Sequence, residues 1–254
     1  MSELQKIGEI KEIYQAADEV MLPAFIREYE GDMRSGVQAL VKRARKDLDA
    51  LTRERERMEK MSEFEYKYAD FSCICGIDEA GRGPLAGPVV AGAVVLDPDT
   101  EILYLNDSKK LSAAKREELY DVIMSKARAA AVGIASPQRI DEINILQATY
   151  EAMREAVHKL GVSPDILLND AVTIPGLDMK QVAIVKGDAR SKSIAAASII
   201  AKVTRDRIML EYDKQYPEYG FAGHKGYGSA AHIAALQRYG ATPIHRRSFI
   251  GHFI

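Results

Sequence analysis

Hydrophobic and polar residues repeat with two different periods along this chain, and the first part of the chain has the period of a helix. Apolar side chains between residues 34 and 62 recur at spacings of three, four or seven, which places them on one helix face. Another helix is predicted over residues 3–22, and Pro23 and Gly31 separate the two. The apolar stripe of the longer helix consists of Val37, Val41, Ala44, Leu48, Leu51 and Met58.

The pattern changes after residue 69, where short β-rich runs begin to alternate with longer helical runs. Two strands, 71–78 and 89–96, follow each other directly, and further along the chain strands alternate with helices. This order predicts an α/β fold with a mixed sheet. We therefore predict an N-terminal helical extension over residues 1–69 and a second domain over residues 70–254. The other predicted strands are 102–105, 131–136, 165–168 and 181–185, and the other predicted helices are 112–130, 137–160, 191–212 and 229–239.

The N-terminal extension has a charged face opposite its apolar stripe, and two interpretations of it are compatible. In the first interpretation, the extension is a helical arm that packs its stripe on the main domain. In the second, it is a basic arm that holds a nucleic-acid backbone, and both can be true at once. A second basic run, residues 186–207, has six Lys and Arg residues and only two Asp residues. It is either a further sign of a nucleic-acid partner or simply a solvated helix face. The basic residues of the extension are Lys42, Arg43, Arg45, Lys46, Arg53, Arg57 and Lys60.

Composition excludes several classes of protein. Apolar residues make up 47% of the 254 residues and charged residues 28%, as in soluble globular domains, and no apolar run is long enough to span a bilayer. The N-terminus lacks the basic and apolar regions of a secretory signal, so we expect a cytoplasmic protein without a membrane partner. Cys73 and Cys75 share one apolar run without a neighbouring cluster of His or Cys, which favours buried structural thiols over a zinc site.

Four acidic residues follow apolar runs that are predicted as strands. Asp78 and Glu79 follow one run directly, Asp170 follows another, and Asp188 follows a third with two residues between. Because open α/β sheets place ligands at strand ends, these carboxylates can converge at one edge. A divalent cation relieves the repulsion between them, and oxygen ligands favour Mg²⁺ or Mn²⁺. Two such ions, about 4 Å apart, activate water and stabilise the leaving oxygen of a phosphodiester.

The sequence does not decide whether Asp78 and Glu79 share one site, or whether Asp170 and Asp188 have other roles. Adjacent residues of a strand point to opposite faces, so Asp78 and Glu79 share a site only if the strand ends or bulges there. Asp188 stands just before a predicted helix and is also a candidate N-cap, whereas Asp170 is also a candidate turn residue.

A loop with three glycines and two prolines follows Glu79. Residues 81–86 match the spacing of the dinucleotide-binding fingerprint, but that fingerprint opens a helix and residues 89–95 are predicted as a strand. The loop also lacks the Gly-Lys-Ser/Thr of a Walker A motif. It remains a backbone that a ligand can approach closely, with N–H donors and the Arg82 guanidinium suited to a phosphate or sugar hydroxyl. The alternative is a tight turn that requires positive φ.

Residues 76–89, Gly-Ile-Asp-Glu-Ala-Gly-Arg-Gly-Pro-Leu-Ala-Gly-Pro-Val, resemble the opening motif of the ribonuclease HII family. Later segments resemble the later motifs of that family in the same order. The resemblance covers about residues 71–250, and four ordered motifs make it specific. Residues 1–69 resemble the N-terminal extension of some bacterial members. The later segments are 107–111 (Asp-Ser-Lys-Lys-Leu), 186–188 (Lys-Gly-Asp) with 191–206, and 223–228 (Gly-His-Lys-Gly-Tyr-Gly).

The resemblance implies a ribonuclease H-like fold, in which helices flank a mixed sheet, with the N-terminal extension and C-terminal helices added. It implies two Mn²⁺ or Mg²⁺ ions and hydrolysis of RNA in RNA·DNA hybrids, including single ribonucleotides embedded in duplex DNA. The products are a 5′-phosphate and a 3′-hydroxyl. The implied catalytic and metal-binding acids are Asp78, Glu79, Asp170 and Asp188, and the implied substrate-binding residues are Gly81, Arg82, Gly83, Lys109, Ser191, Lys192 and Tyr227.

Within that set, the resemblance implies that residues 81–83 contact the ribose 2′-hydroxyl side of an RNA–DNA junction and that Tyr227 lies against the sugar or base there. Lys109, Ser191 and Lys192 are expected at or near phosphates. Two alternatives remain at this point: a nucleic-acid-binding protein without catalytic activity, and a related phosphodiesterase that cuts DNA junctions. The sequence does not identify a protein partner.

Overall fold

The computed structural model describes residues 5–254, and the chain divides into two compact units, residues 1–59 and 60–254. The beginning of the helix predicted over residues 3–22 therefore lies outside the described residues. The first unit is helical where it is described, and the second unit contains a sheet of five strands.

The helical unit differs from the prediction at Pro23. The chain leaves helical geometry at Ala17 and enters a new helix at Leu22, so the single helix predicted over residues 3–22 is wrong after Ala16. Pro23 lies in the first turn of the new helix, where its missing N–H removes no intrahelical hydrogen bond. The helices of this unit are α1 (Ile7–Ala16), α2 (Leu22–Tyr29) and α3 (Ser35–Lys60), which ends one residue beyond it.

The apolar stripe of α3 forms part of a core inside the first unit. Val37, Val41 and Ala44 are buried against residues of α1 and α2, and Leu48 and Leu51 pack against the same cluster. The predicted amphipathic face is therefore confirmed over these residues, and α1 and α2 supply much of its cover.

The sheet of the second unit is mixed, as predicted, with strand order β3-β2-β1-β4-β5. The first three strands form antiparallel pairs, β1 with β2 and β2 with β3, whereas β4 pairs in parallel with both β1 and β5. The two parallel strands therefore have their carboxyl ends at the edge of the sheet where β1 ends. The strands are β1 (Ile74–Ala80), β2 (Val89–Val95), β3 (Ala129–Ala135), β4 (Ile166–Asp170) and β5 (Lys180–Ile184).

Two long helices cover opposite faces of this sheet. Helix α7 (Lys192–Gln215) packs on β1 and β2 so closely that a Cβ on Gly92 would lie 2.3 Å from the Ala197 carbonyl oxygen. Helix α6 (Pro137–His158) packs on β2 and β3 from the other side. Its backbone leaves helical geometry at Asn144, where φ is 67°. The remaining helices are α4 (Glu63–Lys67), α5 (Ala113–Lys126), α8 (Phe221–His224), α9 (Ala230–Tyr239) and α10 (Arg247–Ile250).

One predicted strand does not form. Residues 102–105 lie in a turn-containing loop, where Ile102 and Leu105 are buried although their backbone joins no ladder. The apolar pair fills the core from a loop, and Tyr104 between them has a φ of 68°. Across the described residues, no helix is both long and apolar enough to cross a membrane.

The two cysteines are confirmed as buried free thiols in the core beneath α6. Burial raises the pKa of both Cys73 and Cys75, so neither is poised as a nucleophile or a metal ligand.

Candidate active site

Three of the predicted acids converge where β1 and β4 end. One carboxylate oxygen from each of Asp78, Asp170 and Asp188 lies within 4.8 Å of the others. Ile77 of β1 stands opposite Asn169 of the parallel strand β4, so the next residue on each strand reaches the same edge. Asp188 comes from the 3₁₀ turn that follows β5. We call these three residues the acid cluster.

Burial and repulsion between carboxylates dominate the electrostatics of the acid cluster. Burial and then the charge of Glu79 raise the pKa of Asp78 well above its usual range. Burial, followed by Asp107 and Asp170, raises the pKa of Asp188 to about 6. None of the ion pairs formed by the described residues involves the cluster. A divalent cation fits such a set, because it relieves the repulsion and because carboxylate oxygens are its preferred ligands.

Glu79 occupies a different position from the cluster. Strand β1 stays in register with β2 through Ala80, so the strand neither ends nor bulges at Glu79. The Glu79 carboxylate lies outside the three-acid group, and its Oε1 is 3.4 Å from Nη1 of Arg82. Burial raises the pKa of Glu79 although the nearby Arg82 opposes the shift. The binding of a metal by Glu79 stays a prediction.

The turns that carry Asp170 and Asp188 are tied together. Asp170 Oδ1 accepts a hydrogen bond of 2.7 Å from the N–H of Gly187, one residue before Asp188. The N-cap of α7 is Ser191, whose Oγ accepts from Ile194 N at 3.3 Å. The alternative that Asp188 caps this helix is therefore wrong, and its carboxylate belongs to the acid cluster.

A pocket of about 430 Å³ opens beside the cluster, between the glycine loop and α7. Burial alone would lower the pKa of Lys109 in this pocket, but the carboxylates of Asp107 and Asp78 raise it. The Lys109 ammonium therefore lies in the field of the acids. The predicted site residues that line the pocket are Glu79, Gly81, Arg82, Gly83, Lys109 and Tyr227.

Two glycines of the loop have different reasons to be glycine. Gly81 has a φ of +93°, and a Cβ there would lie 2.0 Å from Nε of Arg205. Gly83 has no such constraint, since the nearest atom to an added Cβ would be Tyr227 Cε1 at 3.8 Å. The fold requires glycine at 81 but not at 83. At 83, the absent side chain leaves open the space between the loop and the Tyr227 ring.

Two buried arginines hold the loop from within, and sequence analysis did not single them out. Arg205 donates to the carbonyl oxygens of Pro88, Ala86 and Lys225, and Arg246 donates to those of Gly87, Arg82 and Gly81. Both residues are 0% exposed, and neither forms an ion pair with a described residue. Arg205 lies in the basic run 186–207, where the alternative of a solvated face is wrong for this residue.

Other missed pocket residues carry weaker sequence signals. Ser198 and Lys202 lie one helical turn apart on α7, and the Ser198 hydroxyl is hydrogen-bonded to that of Ser108 at 2.9 Å. Arg116 of α5 also lines the pocket. Only spacing along α7 could have indicated Ser198 and Lys202, since positions 198, 202 and 205 share one face of a helix. Arg116 is brought in by tertiary packing alone.

The backbone around Tyr227 is fixed by a chain of histidines. His245 Nδ1 accepts from the Thr242 N–H at 3.0 Å, so its Nε2 carries the proton when the ring is neutral. That Nε2 lies 3.0 Å from His232 Nε2, which leaves His232 Nδ1 to donate to the Tyr227 carbonyl at 2.9 Å. Tyr227 itself is 47% exposed at the pocket.

The structure places Ser191 and Lys192 away from this pocket. Ser191 is buried, and its hydroxyl donates to Glu65 Oε1 at 2.6 Å. The Lys192 ammonium donates to the Pro98 carbonyl at 2.9 Å and lines a separate, smaller cavity. Both residues anchor the start of α7, and contact with phosphate stays a prediction for them.

Comparison with known proteins agrees with this architecture. The family model described as ribonuclease HII matches residues 75–252, and the model described as the ribonuclease HII N-terminal domain matches residues 6–69. The ribonuclease HII of Lachnoclostridium phytofermentans is 58% identical over 96% of this chain and 96% of its own length. That of Clostridioides difficile is 52% identical over 97% of each chain.

A solved structure gives the same result. The ribonuclease H2 of Pyrococcus horikoshii OT3 is 32% identical, with a TM-score of 0.59 over 69% of this chain and 93% of its own. The ribonuclease H-like fold is therefore confirmed, and the chain belongs to the ribonuclease HII family and is a ribonuclease H, a hydrolase of phosphodiesters.

Proposed function

We propose that this ribonuclease H cleaves RNA in RNA·DNA hybrids and also cuts at single ribonucleotides embedded in duplex DNA, leaving a 5′-phosphate and a 3′-hydroxyl. The observation that carries the proposal is the open space between Gly83 and the Tyr227 ring, directly beside the acid cluster. A sugar in that space would present its 2′-position to the loop. The 2′-hydroxyl is what distinguishes RNA from DNA at one nucleotide.

The acid cluster is the proposed metal centre. Asp78, Asp170 and Asp188 would hold two divalent ions, Mn²⁺ or Mg²⁺, with Glu79 as a further ligand at the border of the pocket. When bound, such ions supply charge stabilisation to the reacting phosphodiester and lower the pKa of water. The proposal is supported by the buried, oxygen-only donor set and by the raised pKa values of Asp78 and Asp188.

The chain's own side chains would orient the substrate. Lys109 offers an ammonium to a phosphate next to the acids, and Arg82 is 43% exposed at its side chain with donors free of the Glu79 contact. Tyr227 would lie against the sugar or base of the junction and hold one nucleotide at the metal centre. Phosphate contacts would supply most of the affinity, which should fall steeply with salt.

The N-terminal extension, residues 1–69, is proposed as a separate domain that adds backbone contacts. Its helix α3 presents a shallow surface with several basic side chains. Phosphates are suitable partners for such a surface, and reversal of two of its charges should weaken binding to duplexes of every sequence equally. The basic residues of this surface are Lys42, Arg43, Arg45, Lys46 and Arg53.

The test compares two tyrosines of similar exposure. Tyr227→Ala should reduce cleavage at a lone ribonucleotide more than cleavage of a long hybrid, because a long hybrid offers many alternative registers. Tyr239→Ala, at a residue 49% exposed but outside the pocket, is the matched control and should leave both rates unchanged. Equal losses on both substrates for Tyr227→Ala would contradict the junction role.

The alternative functions are separated by the same assay. A binding protein without catalytic activity would retain the duplex with or without Mg²⁺ and cut neither substrate. A phosphodiesterase for DNA junctions would cut an all-DNA duplex, which we expect to remain intact.

A further inference from the structure

Arg246 is a buried cation that is bound entirely to the backbone of the glycine loop. Its Nη2 donates to the Gly81 carbonyl at 2.6 Å, its Nη1 to the Arg82 carbonyl at 2.8 Å, and its Nε to the Gly87 carbonyl at 2.9 Å. The residue is 0% exposed and lies behind the loop, since it is absent from the pocket lining. Arg246 therefore fixes two consecutive peptide groups, 81–82 and 82–83.

The direction of these two carbonyls decides the direction of two N–H groups. In a trans peptide the C=O of one residue and the N–H of the next lie in one plane and point in opposite directions. With the carbonyls of Gly81 and Arg82 turned inward to Arg246, the N–H groups of Arg82 and Gly83 turn outward. Neither N–H donates a hydrogen bond to any described residue, and both residues line the pocket.

The choice of arginine follows from this geometry. A guanidinium presents its donors in a rigid planar fork, which can hold several carbonyls at fixed angles, whereas an ammonium is a single flexible point. A carboxylate partner would compete for the same donors, and no described carboxylate forms an ion pair with Arg246. The three carbonyls instead supply charge-assisted hydrogen bonds that offset part of the cost of burying the charge.

We propose that Arg246 is a specificity-determining positioning residue: it holds the loop so that the Arg82 and Gly83 N–H groups face the pocket and donate to a ribose 2′-hydroxyl oxygen. This inference rests on the proposed reading of an embedded ribonucleotide by the loop. Arg205 acts at the other end of the loop and ties it to Lys225, two residues before Tyr227.

The experiment measures discrimination rather than rate alone. Two duplexes of identical sequence, one with a single ribonucleotide and one all-DNA, are bound to the full-length protein without divalent metal. Arg246→Lys keeps the charge but not the fork, so the affinity ratio between the duplexes should fall about tenfold, as expected for one lost hydrogen bond. Affinity for the all-DNA duplex should change less than about twofold, since phosphate contacts are retained.

The matched control is Arg154→Lys. Arg154 also donates from Nη1 to a backbone carbonyl, that of Pro175 at 3.0 Å, but at the surface and away from the pocket. This variant should keep the wild-type ratio. A folded Arg246→Lys protein with an unchanged ratio would overturn the inference while leaving the proposed function intact. A wild-type protein that does not prefer the ribonucleotide duplex would contradict the proposed function itself.

A measurement on the wild-type protein covers the case in which Arg246→Lys does not fold. The amide resonances of Arg82 and Gly83 in ¹⁵N-labelled protein should shift when the ribonucleotide duplex binds and shift less with the all-DNA duplex. Identical shifts with the two duplexes would show that these N–H groups do not read the sugar, and the inference would fail.

Discussion

The acid cluster and the buried arginine pair are both groups of like charges, yet the chain treats them differently. Asp78, Asp170 and Asp188 crowd their carboxylates within 4.8 Å, and burial and mutual repulsion raise the pKa of two of them. Arg205 and Arg246 are buried near each other, and six backbone carbonyls surround them. No ion pair of the described residues neutralises the acids, whereas each arginine donates to three backbone carbonyls.

The difference indicates which charges serve the fold and which serve a ligand. Fixed dipoles can satisfy a buried charge permanently, and a residue treated in this way shapes the backbone around it. A cluster that the chain does not satisfy is stable only with a cation or with bound protons. Substitutions in the two regions should therefore damage different properties of the protein.

The largest effect is expected for Asp78→Asn. The amide keeps the size of the side chain but removes a charge from the metal centre, so activity should fall on the order of a thousandfold, equivalent to about 4 kcal/mol. Stability should stay the same or rise, because the charge that is removed is buried and repelled. Cleavage assays and thermal unfolding of the same preparation measure both.

Asp178→Asn is the control for this variant, since Asp178 is exposed and outside the cluster. Mn²⁺ or Mg²⁺ should raise the Tm of the wild type and of the control, because a ligand that binds only the folded state stabilises it. Full activity of Asp78→Asn, or an unchanged metal-induced Tm shift in that variant, would sink the assignment.

The next effect concerns the arginine region. Gly81→Ala should cost about 3 kcal/mol of unfolding free energy, because the residue needs positive φ and its Cβ would meet Arg205 Nε at 2.0 Å. Gly83→Ala should cost less than about 1 kcal/mol while strongly reducing cleavage, since its methyl group fills the space in front of Tyr227. Denaturant unfolding and cleavage of the two variants, compared side by side, test this.

Similar stability losses in both glycine variants would remove the distinction between a glycine required by the fold and one required by the ligand.

Local sequence signals predicted most of the fold and part of the site. The strands before Asp78 and Asp170 and the helix that begins at Ser112 are encoded by neighbouring residues, and in the structure the Ser112 hydroxyl caps that helix by accepting from the N–H of Lys115. The strand predicted over residues 102–105 is wrong because its apolar residues fill the core from a loop and do not pair with another strand. Arg246 could not be identified at all, since it contacts residues about 160 positions away through tertiary packing alone.

A smaller effect on stability is expected when the pH is lowered. Burial, followed by the charge of His232, lowers the pKa of His245 to about 4, whereas an unfolded histidine titrates near 6.5. The folded state therefore binds fewer protons between these values, and the stability due to a neutral His245 is present above about pH 6.5 and lost as pH falls towards about 4. The loss should be at most about 3 kcal/mol, since one pKa unit corresponds to about 1.4 kcal/mol.

The raised pKa of Asp188 gives the opposite slope in part of this window, so the histidine contribution is isolated by comparison with His245→Asn. Unfolding free energies of the two proteins should converge as pH falls from 6.5 to 4. A constant difference between them would show that His245 does not titrate in the folded protein as described.

The smallest effect is expected where opposite charges already meet in solvent. Arg207 and Glu117 form an ion pair of 2.5 Å between side chains that are 47% and 46% exposed. Glu117→Gln should change stability by less than about 0.5 kcal/mol, because exposed pairs are weak and screened by salt. A loss above about 1 kcal/mol would indicate that α5 and α7 depend on this pair more than its exposure allows.

Helix α7 also fixes the distance between the two regions of opposite charge. Ser198 lies beside the acids, and Arg205 lies beside the glycine loop, seven residues or about 10 Å further along the same helical face. Deletion of one residue between them would turn Arg205 by about 100° away from its carbonyls. An insertion close to one whole turn would restore this phase but move Arg205 about 5.4 Å further along the helix axis. Both the phase and the number of residues between Ser198 and Arg205 are therefore fixed, and insertions or deletions in this segment should reduce activity.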